Sequence, residues 1–383
     1  MVSHDVVIVG AGPAGAALAY ELAKMGIDVL ILEKGKLPRY QTCSGGISVR
    51  AANLLDFDIS PVTEQLIYRA KFSYKLGNGY TKEYDKPLIH MVMRDRFDLF
   101  LIQKAQEIGV RVTDGQKVEQ IQMMANHAVV VTPAYKFKAR IVAGADGANS
   151  TVARAAGLMG GVDFAIGINA EVSVSDEAMA RWDSTVGLDI GYVPYRQGWI
   201  FPKEAHLSIG VWGAIALTKE LKPYYKRLLE SQNLGNYEVT SLKGRLVSLR
   251  KSGLAIQRNN ALLLGAAAGL LHPLTGEGIY YAIKSAQLAA PVIAKSLQTD
   301  VIELYDYERA VDLELMPELQ AGRWLLRLFN RSPHLYFRWL KRSEHLWRAA
   351  CCLVRGEKSQ FRQELGLSRY LFNTIYLRAR RSR

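Results

Sequence analysis

Asp5–Lys34, DVVIVGAGPAGAALAYELAKMGIDVLILEK, reads as a strand, a glycine turn, a helix and a second strand built to grip a dinucleotide. Val6 to Val9 is a short apolar, β-branched run suited to a buried parallel strand. Gly10, Gly12 and Gly15 supply the GxGxxG turn. The first permits a tight bend, the second lets backbone approach a pyrophosphate, and the third lets helix and strand pack closely. From Ala14 to Lys24 an Ala-rich helix follows, its N-terminal amides and dipole facing the phosphates. The second strand, Val29 to Leu32, ends in Glu33, whose carboxylate suits a ribose 2′-hydroxyl and repels a 2′-phosphate.

Two later segments complete a pattern. Ile141–Arg154, IVAGADGANSTVAR, is a strand ending at Gly144, then Asp146 and Gly147, then a helix start. Ala261–Ser285, ALLLGAAAGLLHPLTGEGIYYAIKS, is another strand, a glycine-rich turn and a long helix. With the first unit they resemble the three flavin-contacting segments of the p-hydroxybenzoate hydroxylase-like flavoproteins, which selects FAD over NAD. In that group the third segment brings a helix N-terminus to the flavin pyrimidine edge, where reduced flavin carries negative charge that a helix dipole stabilises.

Three stretches narrow the resemblance to the geranylgeranyl reductase family. They are the Tyr195, Trp199, Phe201, Pro202, Lys203 series within Gly191–Gly213, the PLTGEGIYYA run of Pro273–Ala282, and the loop RYQTCSGG of Arg39–Gly46. That loop carries Ser44 between Cys43 and the glycine pair. The resemblance spans about residues 1 to 310. It implies saturation of isoprenoid C=C bonds with FAD as hydride carrier. It also carries cofactor contacts onto Gly10, Gly12, Pro13, Ala14, Gly15, Glu33, Lys34, Arg94, Asp146, Gly147, Ala266, Gly276, Glu277, Gly278 and Ile279. Arg94 equally suits a charge at a helix start. One position departs from the family: Ala266 stands where a GDAAG turn usually places Asp. A hydrogen bond involving a charged group contributes about 1.5–3 kcal/mol, so its loss weakens FAD by roughly ten- to a hundredfold.

An isolated trisubstituted alkene offers hydride no electrophilic carbon. Protonation toward a tertiary cation, coupled to hydride delivery, needs a dry cavity, a proton donor and aromatic faces. Tyr195, Trp199 and Phe201 suit that wall, or an ordinary aromatic cluster in a sheet. Cys43 suits shaping or protonating the site, or a structural cysteine. Tyr280 and Tyr281 are further donors on the same terms as helix packing. The competing readings are an FAD-dependent monooxygenase or halogenase of the same group, and a weakly catalytic prenyl-lipid-binding protein.

The fold class expected is α/β: a Rossmann-type FAD-binding domain, an inserted antiparallel-sheet substrate domain and a C-terminal helical region. The FAD-binding domain takes 1–60, 90–160 and 255–300, the substrate domain 61–89 and 161–254, and the basic helical region 301–383. Arg94 to Gly109, RDRFDLFLIQKAQEIG, predicts a helix closed by glycine. Lys117 to Arg140 predicts a small meander, and Phe164–Val174 and His206–Val211 predict strands.

A chain of 383 residues with 49% apolar residues is folded, in more than one lobe. Cys43, Cys351 and Cys352 make neither a disulfide framework nor a metal-ligand pattern, so no metal is expected and a reducing, cytoplasmic compartment is. No run of about 18 apolar residues predicts a membrane span. Net charge is +13, and Pro317–Arg383 holds fifteen Arg or Lys against four Glu. Trp324, Phe329, Phe337, Trp339, Leu340, Trp347 and Phe361 are interleaved with those charges. Such helices lie in a headgroup layer and attract anionic lipid, or they pack on the flavin domain with their charges solvated. Arg378, Arg380, Arg381 and Arg383 are the terminal cations of this stretch. No nucleic-acid motif accompanies the charge. The partners implied are a peripheral membrane surface, an electron donor (NADPH or ferredoxin) and a substrate whose prenyl chain is carried by a lipid, quinone, chlorophyll or diphosphate.

Overall fold

A computed structural model describes residues 1–191 and 196–357. Tyr195, Phe361, Arg378, Arg380, Arg381 and Arg383 lie outside the described residues. The chain divides into two compact units. The first is Met1–Tyr40, Asp95–Phe164 and Val247–Gln320; the second is Gln41–Arg94, Ala165–Leu246 and Ala321–Arg383. The division differs from the sequence-based boundaries at Gln41–Ser60, which falls in the second unit. Its strand Gly46–Ser48 pairs with Ile89–Met91 there. Among the described residues, the C-terminal helices divide at Gln320 between the two units.

The first unit is a parallel sheet. Val2–Val9 is central, flanked by Val29–Leu32 on one side and Lys136–Gly144 on the other. Arg111–Thr113 extends one edge in parallel, and Ala261–Leu263 the other. Val6, Val7 and Ile8 are fully buried, as a strand covered on both faces requires. The helix Pro13–Lys24 packs on the long helix Ile279–Ser296. The helix Arg94–Glu107 closes at Gly109, which takes φ +95°. The expected meander is present: Gln120–Met123 and Ala128–Val131 pair antiparallel, and the latter pairs with Lys136–Gly144.

The second unit has two sheets. The larger runs, in spatial order, Tyr237–Leu249, Asp163–Val174, Leu207–Ala214, Arg196–Pro202, Thr185–Ile190, Arg69–Tyr74 and Tyr80–Glu83. It is not wholly antiparallel, since Thr185–Ile190 pairs with Arg69–Tyr74 in parallel. The helix Thr218–Glu230 buries Leu221, Tyr224, Tyr225, Leu228 and Leu229 in a cluster with Ile200, Ile209 and Val211 of the sheet. The smaller sheet joins Gly46–Ser48, Ile89–Met91 and Gln65–Ile67.

Three helices follow, Met316–Arg331, Pro333–Arg342 and Glu344–Arg355. In the second unit Trp347 is buried, its Nε1 donating to the Glu83 carbonyl at 2.7 Å, and the Phe337 ring packs tilted against Tyr80 with centroids 5.0 Å apart. Some of the aromatic residues therefore pack on the large sheet of their own unit, while Trp324 and Trp339 are exposed. Among the described residues no helix is long and apolar enough to cross a membrane.

Candidate functional site

The first unit carries the glycine turn, and each glycine answers to a different constraint. Gly10 takes φ +105°, and a Cβ there would sit 2.5 Å from the Ala145 carbonyl oxygen. A Cβ at Gly15 would sit 2.0 Å from the Gly10 oxygen. At Gly12 a Cβ would meet nothing nearer than Arg39 Nη2 at 3.9 Å. The first and third glycines are thus required by packing, and the second leaves an open backbone face. Pro13 opens the helix, and no side chain caps its N-terminus. Ala14 is buried behind the turn. The first-turn amides and the positive helix end suit a diphosphate.

Glu33 is buried at the end of its strand. Its Oε2 accepts from the Ala11 amide at 2.9 Å and from Arg39 Nη2 at 3.1 Å, and its Oε1 accepts from the Gly35 amide at 3.0 Å. Arg39 Nη1 donates in turn to the fully buried Asp98 at 2.9 Å. Glu33 therefore positions Arg39, which stands over the open face of Gly12. Sequence reading assigned Arg39 no cofactor role. The signal for it is a pair of acids, Glu33 and Asp98, that burial obliges to share a cation. Lys34 is exposed.

Asp146 caps the short helix Thr151–Ala155, its Oδ2 accepting from the Thr151 amide at 2.6 Å. Its Oδ1 is buried with no hydrogen-bond partner, and burial raises the carboxyl above its ordinary value. Gly147 beside it takes φ +81° with open space where a Cβ would go. In the third segment Ala266 is half-buried, and its carbonyl accepts from the Gly269 amide at 3.1 Å and from Ser248 Oγ. Gly276 takes φ +71°, the Glu277 carbonyl accepts from the His272 amide, and Gly278 caps the helix beginning at the buried Ile279. No side chain caps that helix N-terminus. Tyr281 is fully buried and donates to Glu318 Oε1 at 2.7 Å, so it is a packing residue. Two uncapped helix ends, an open glycine face with a guanidinium over it and an orphaned carboxylate oxygen are the donors and acceptor an FAD diphosphate and sugar hydroxyl require. The residues fit that group.

The second unit carries Trp199 and Phe201. Trp199, Gly210 and Asn169 are register partners across three strands, and Phe201, Ser208 and Glu171 are the next such row. These residues share one face, because alternate positions of a strand point the same way. The opposite face takes the helix Thr218–Glu230, for a Cβ at Gly198 would strike Leu228 and Tyr224. Trp199 lies over Gly210, where a Cβ would sit 2.1 Å from its ring. Its Nε1 donates to Asn169 Oδ1 at 3.0 Å. Asn169 Nδ2 donates to Glu171 Oε1 and to Ser208 Oγ, both at 3.0 Å, and Glu171 Oε2 lies 3.1 Å from His206 Nε2. This face is not purely apolar: a buried polar chain runs behind the aromatic rings. Sequence reading nominated none of Asn169, Glu171, Ser208 or His206.

Phe201 lies against the Cys43 loop, its ring 3.0 Å from where a Gly46 Cβ would be. Three clamps hold that loop. Lys203 Nζ donates to the Ser44 carbonyl at 2.6 Å and the Val92 carbonyl at 2.8 Å, the Val92 amide donates to the Gly45 carbonyl at 2.9 Å, and Arg245 Nη1 donates to the Thr42 carbonyl at 3.2 Å. Lys203 is fully buried, and burial draws its ammonium down to about 8. Cys43 is half-buried, and its sulfur accepts from the Gly45 amide at 3.4 Å. Burial pushes the thiol up, but the charge of Arg94, the Gly45 amide and the charge of Arg245 outweigh it, leaving the thiol below its ordinary value. The buried Arg94 is thus set beside the thiol within the second unit.

The sequence profile of the FAD-binding domain family matches residues 3–313. An uncharacterised protein of Methanosarcina barkeri is 32% identical over 337 residues, spanning 88% of this chain and 86% of that protein. The chloroplastic geranylgeranyl diphosphate reductase of Nicotiana tabacum is 27% identical over 352 residues, 85% of this chain and 75% of its own. Among solved structures, a geranylgeranyl bacteriochlorophyll reductase-like protein of Thermoplasma acidophilum superposes with a TM-score of 0.79 at 23% identity, covering 86% of this chain and 88% of that one. At that identity the likeness shows the fold. The chain belongs to the FAD-binding domain family, and proteins named geranylgeranyl diphosphate reductase are among its relatives.

Proposed function

We propose that the protein is an FAD-dependent reductase that saturates C=C bonds of a geranylgeranyl or related polyprenyl group, acting at an anionic membrane surface where such substrates dissolve. The observation that carries this reading is the Cys43 loop, held by three clamps against Phe201 with the charges of Arg94 and Arg245 acting on its thiol. An unpolarised alkene needs a proton at one carbon, and a thiol lowered by Arg94 and Arg245 yields one more readily than an ordinary cysteine. Trp199 and Phe201 present π faces to the positive charge that develops on the tertiary carbon. Lys203 and Arg245 act as positioning residues through the loop carbonyls.

When bound, FAD supplies the hydride, and the Gly12 face, Arg39 and Asp146 would hold it. Cys43 is left as thiolate, which Arg94 stabilises until solvent returns the proton. Relatives named geranylgeranyl diphosphate reductase support the prenyl substrate. The test is anaerobic: chemically reduced protein is mixed with a prenylated diphosphate or lipid, and the product is weighed. The expected product gains two hydrogens per double bond. Incorporation of oxygen in air, with no saturation, would replace this reading by the monooxygenase one.

A further inference from the structure

Among the described residues, the second unit carries an exposed face of mixed apolar and basic side chains. In the helix Met316–Arg331, Trp324, Arg327, Leu328 and Arg331 follow helical spacing along one stripe, and in Pro333–Arg342 Leu335, Arg338, Trp339 and Arg342 do the same. Trp324 and Trp339 are each 57% exposed, Leu335 53% and Leu325 43%. Large apolar side chains in such a group mark an interaction site, since scattered single residues are the norm on a free surface. Between the helices lies an open cavity of about 480 Å³ lined by Leu328, Arg331, Ser332, Leu335, Tyr336 and Trp339. It has apolar walls, one guanidinium and the hydroxyls of Ser332 and Tyr336.

Charge decides the occupant. From Ala321 to Ser343 the chain has six cations, Arg323, Arg327, Arg331, Arg338, Lys341 and Arg342, and no Asp or Glu. A second copy docking through a two-fold axis would set this patch against itself and oppose cation to cation. An anionic bilayer matches both halves of the pattern. Arginines meet lipid phosphates, and tryptophans enter the boundary between headgroups and acyl chains, where an apolar ring with a polar N–H is favoured. The interior of the hairpin is held independently: Phe337 packs on Tyr74 and Tyr80, and Trp347 is buried below. The outward side chains are therefore not needed for folding.

We infer that the helical hairpin 321–342 is an interfacial docking surface for an anionic phospholipid bilayer, with Trp324 and Trp339 as inserted anchors and Arg331 as a phosphate partner in the groove. It rests on the proposed function only for its use, namely delivery of a membrane-dissolved substrate. Binding is physical and is measured without substrate.

The full FAD-loaded chain is co-sedimented with phosphatidylcholine vesicles and with vesicles containing one third phosphatidylglycerol. Wild type should bind the anionic vesicles, weaken as salt rises, and leave the neutral ones largely unbound. Trp324→Ser with Trp339→Ser should reduce binding at least about tenfold, because the buried apolar area is lost. Arg327→Gln with Arg331→Gln should reduce it about thirtyfold, at about 1 kcal/mol per cation. Flavin absorbance and melting temperature should not change in either pair. Equal sedimentation of the tryptophan pair and wild type would overturn the docking surface, as would a dimer in gel filtration that the same substitutions abolish. Reductase activity on detergent-dispersed substrate separates the two ideas. Wild type that saturates dispersed substrate yet does not bind anionic vesicles sinks the surface alone, and wild type that binds vesicles with no saturation sinks the function alone.

Discussion

The turn at Gly10–Gly15 is specified by close backbone approach, to Gly10 at Gly15 and to Ala145 at Gly10, whereas the face carrying Trp199 and Phe201 is specified by register across three strands. In the turn, the missing side chains matter: Gly10 and Gly15 are there because a Cβ would strike the Ala145 and Gly10 oxygens. On the sheet face, what matters is which side chains meet. Trp199 finds Asn169 only because both are partners of Gly210. A local constraint leaves a short motif in the sequence. A register constraint leaves residues thirty or more positions apart with no visible link.

That contrast predicts unequal damage. The largest effect belongs to Gly15→Val. Its Cβ would overlap the Gly10 oxygen at 2.0 Å, and backbone cannot yield as a side chain can. Purified variant should retain no flavin, read as loss of the visible absorption bands, and should melt well below wild type. A variant that keeps flavin at full occupancy would mean the turn tolerates what its geometry forbids.

Cys43→Ala tests the other region. Removing a proton donor typically costs about 10²–10⁴ in rate. The turnover of prenylated substrate should fall by that order while FAD affinity stays within about twofold, because Cys43 belongs to the second unit. Unchanged turnover would return Cys43 to a structural role.

Ala266→Asp sharpens the first region. The carboxylate restores the polar anchor that the third segment lacks and should tighten FAD about ten- to a hundredfold, measured by titrating stripped protein. Ser248 already donates to the Ala266 carbonyl, so the backbone there is fixed before the new side chain is added. Affinity equal to wild type would show that other groups, Asp146 Oδ1 among them, meet the cofactor's demands in full.

The parallel sheet, the strands and turns of its three glycine-rich segments, the helix Arg94–Glu107 and the meander were legible because periodicity and glycine spacing are local signals. The division at Gln41 was not, since the pairing of Gly46–Ser48 with Ile89–Met91 joins residues over forty positions apart. Arg39 and Lys203 sit inside quoted motifs, yet their roles depend on which carboxylates and carbonyls they reach. Asn169 and Glu171 left a trace: two polar residues at alternate positions in the apolar run FAIGINAEVSV. Alternation of that kind signals a buried polar face, since a buried polar group requires a partner.

The smallest expected effect is a displacement along the pH axis. Cys43 must carry its proton to donate it, so the rate should be level at low pH and fall as pH rises through the thiol's lowered value. Burial opposes that lowering and Arg94 is the largest charge behind it. Arg94→Gln removes the charge, raises the thiol toward its ordinary range, and should move the alkaline fall to higher pH with little change in the plateau. Lys203, drawn to about 8 by burial, is a second group that loses its proton as pH rises, and Arg94 lowers it too. Glu171 and Glu64 also bear on Lys203, so a shift alone does not name the group. Cys43→Ser supplies the distinction. A serine hydroxyl does not titrate in this range, so the residual rate should lose its alkaline fall if the thiol sets it. A fall that persists in Cys43→Ser would assign it to Lys203 and make the loop clamp, not the thiol, the pH-sensitive element of the second unit.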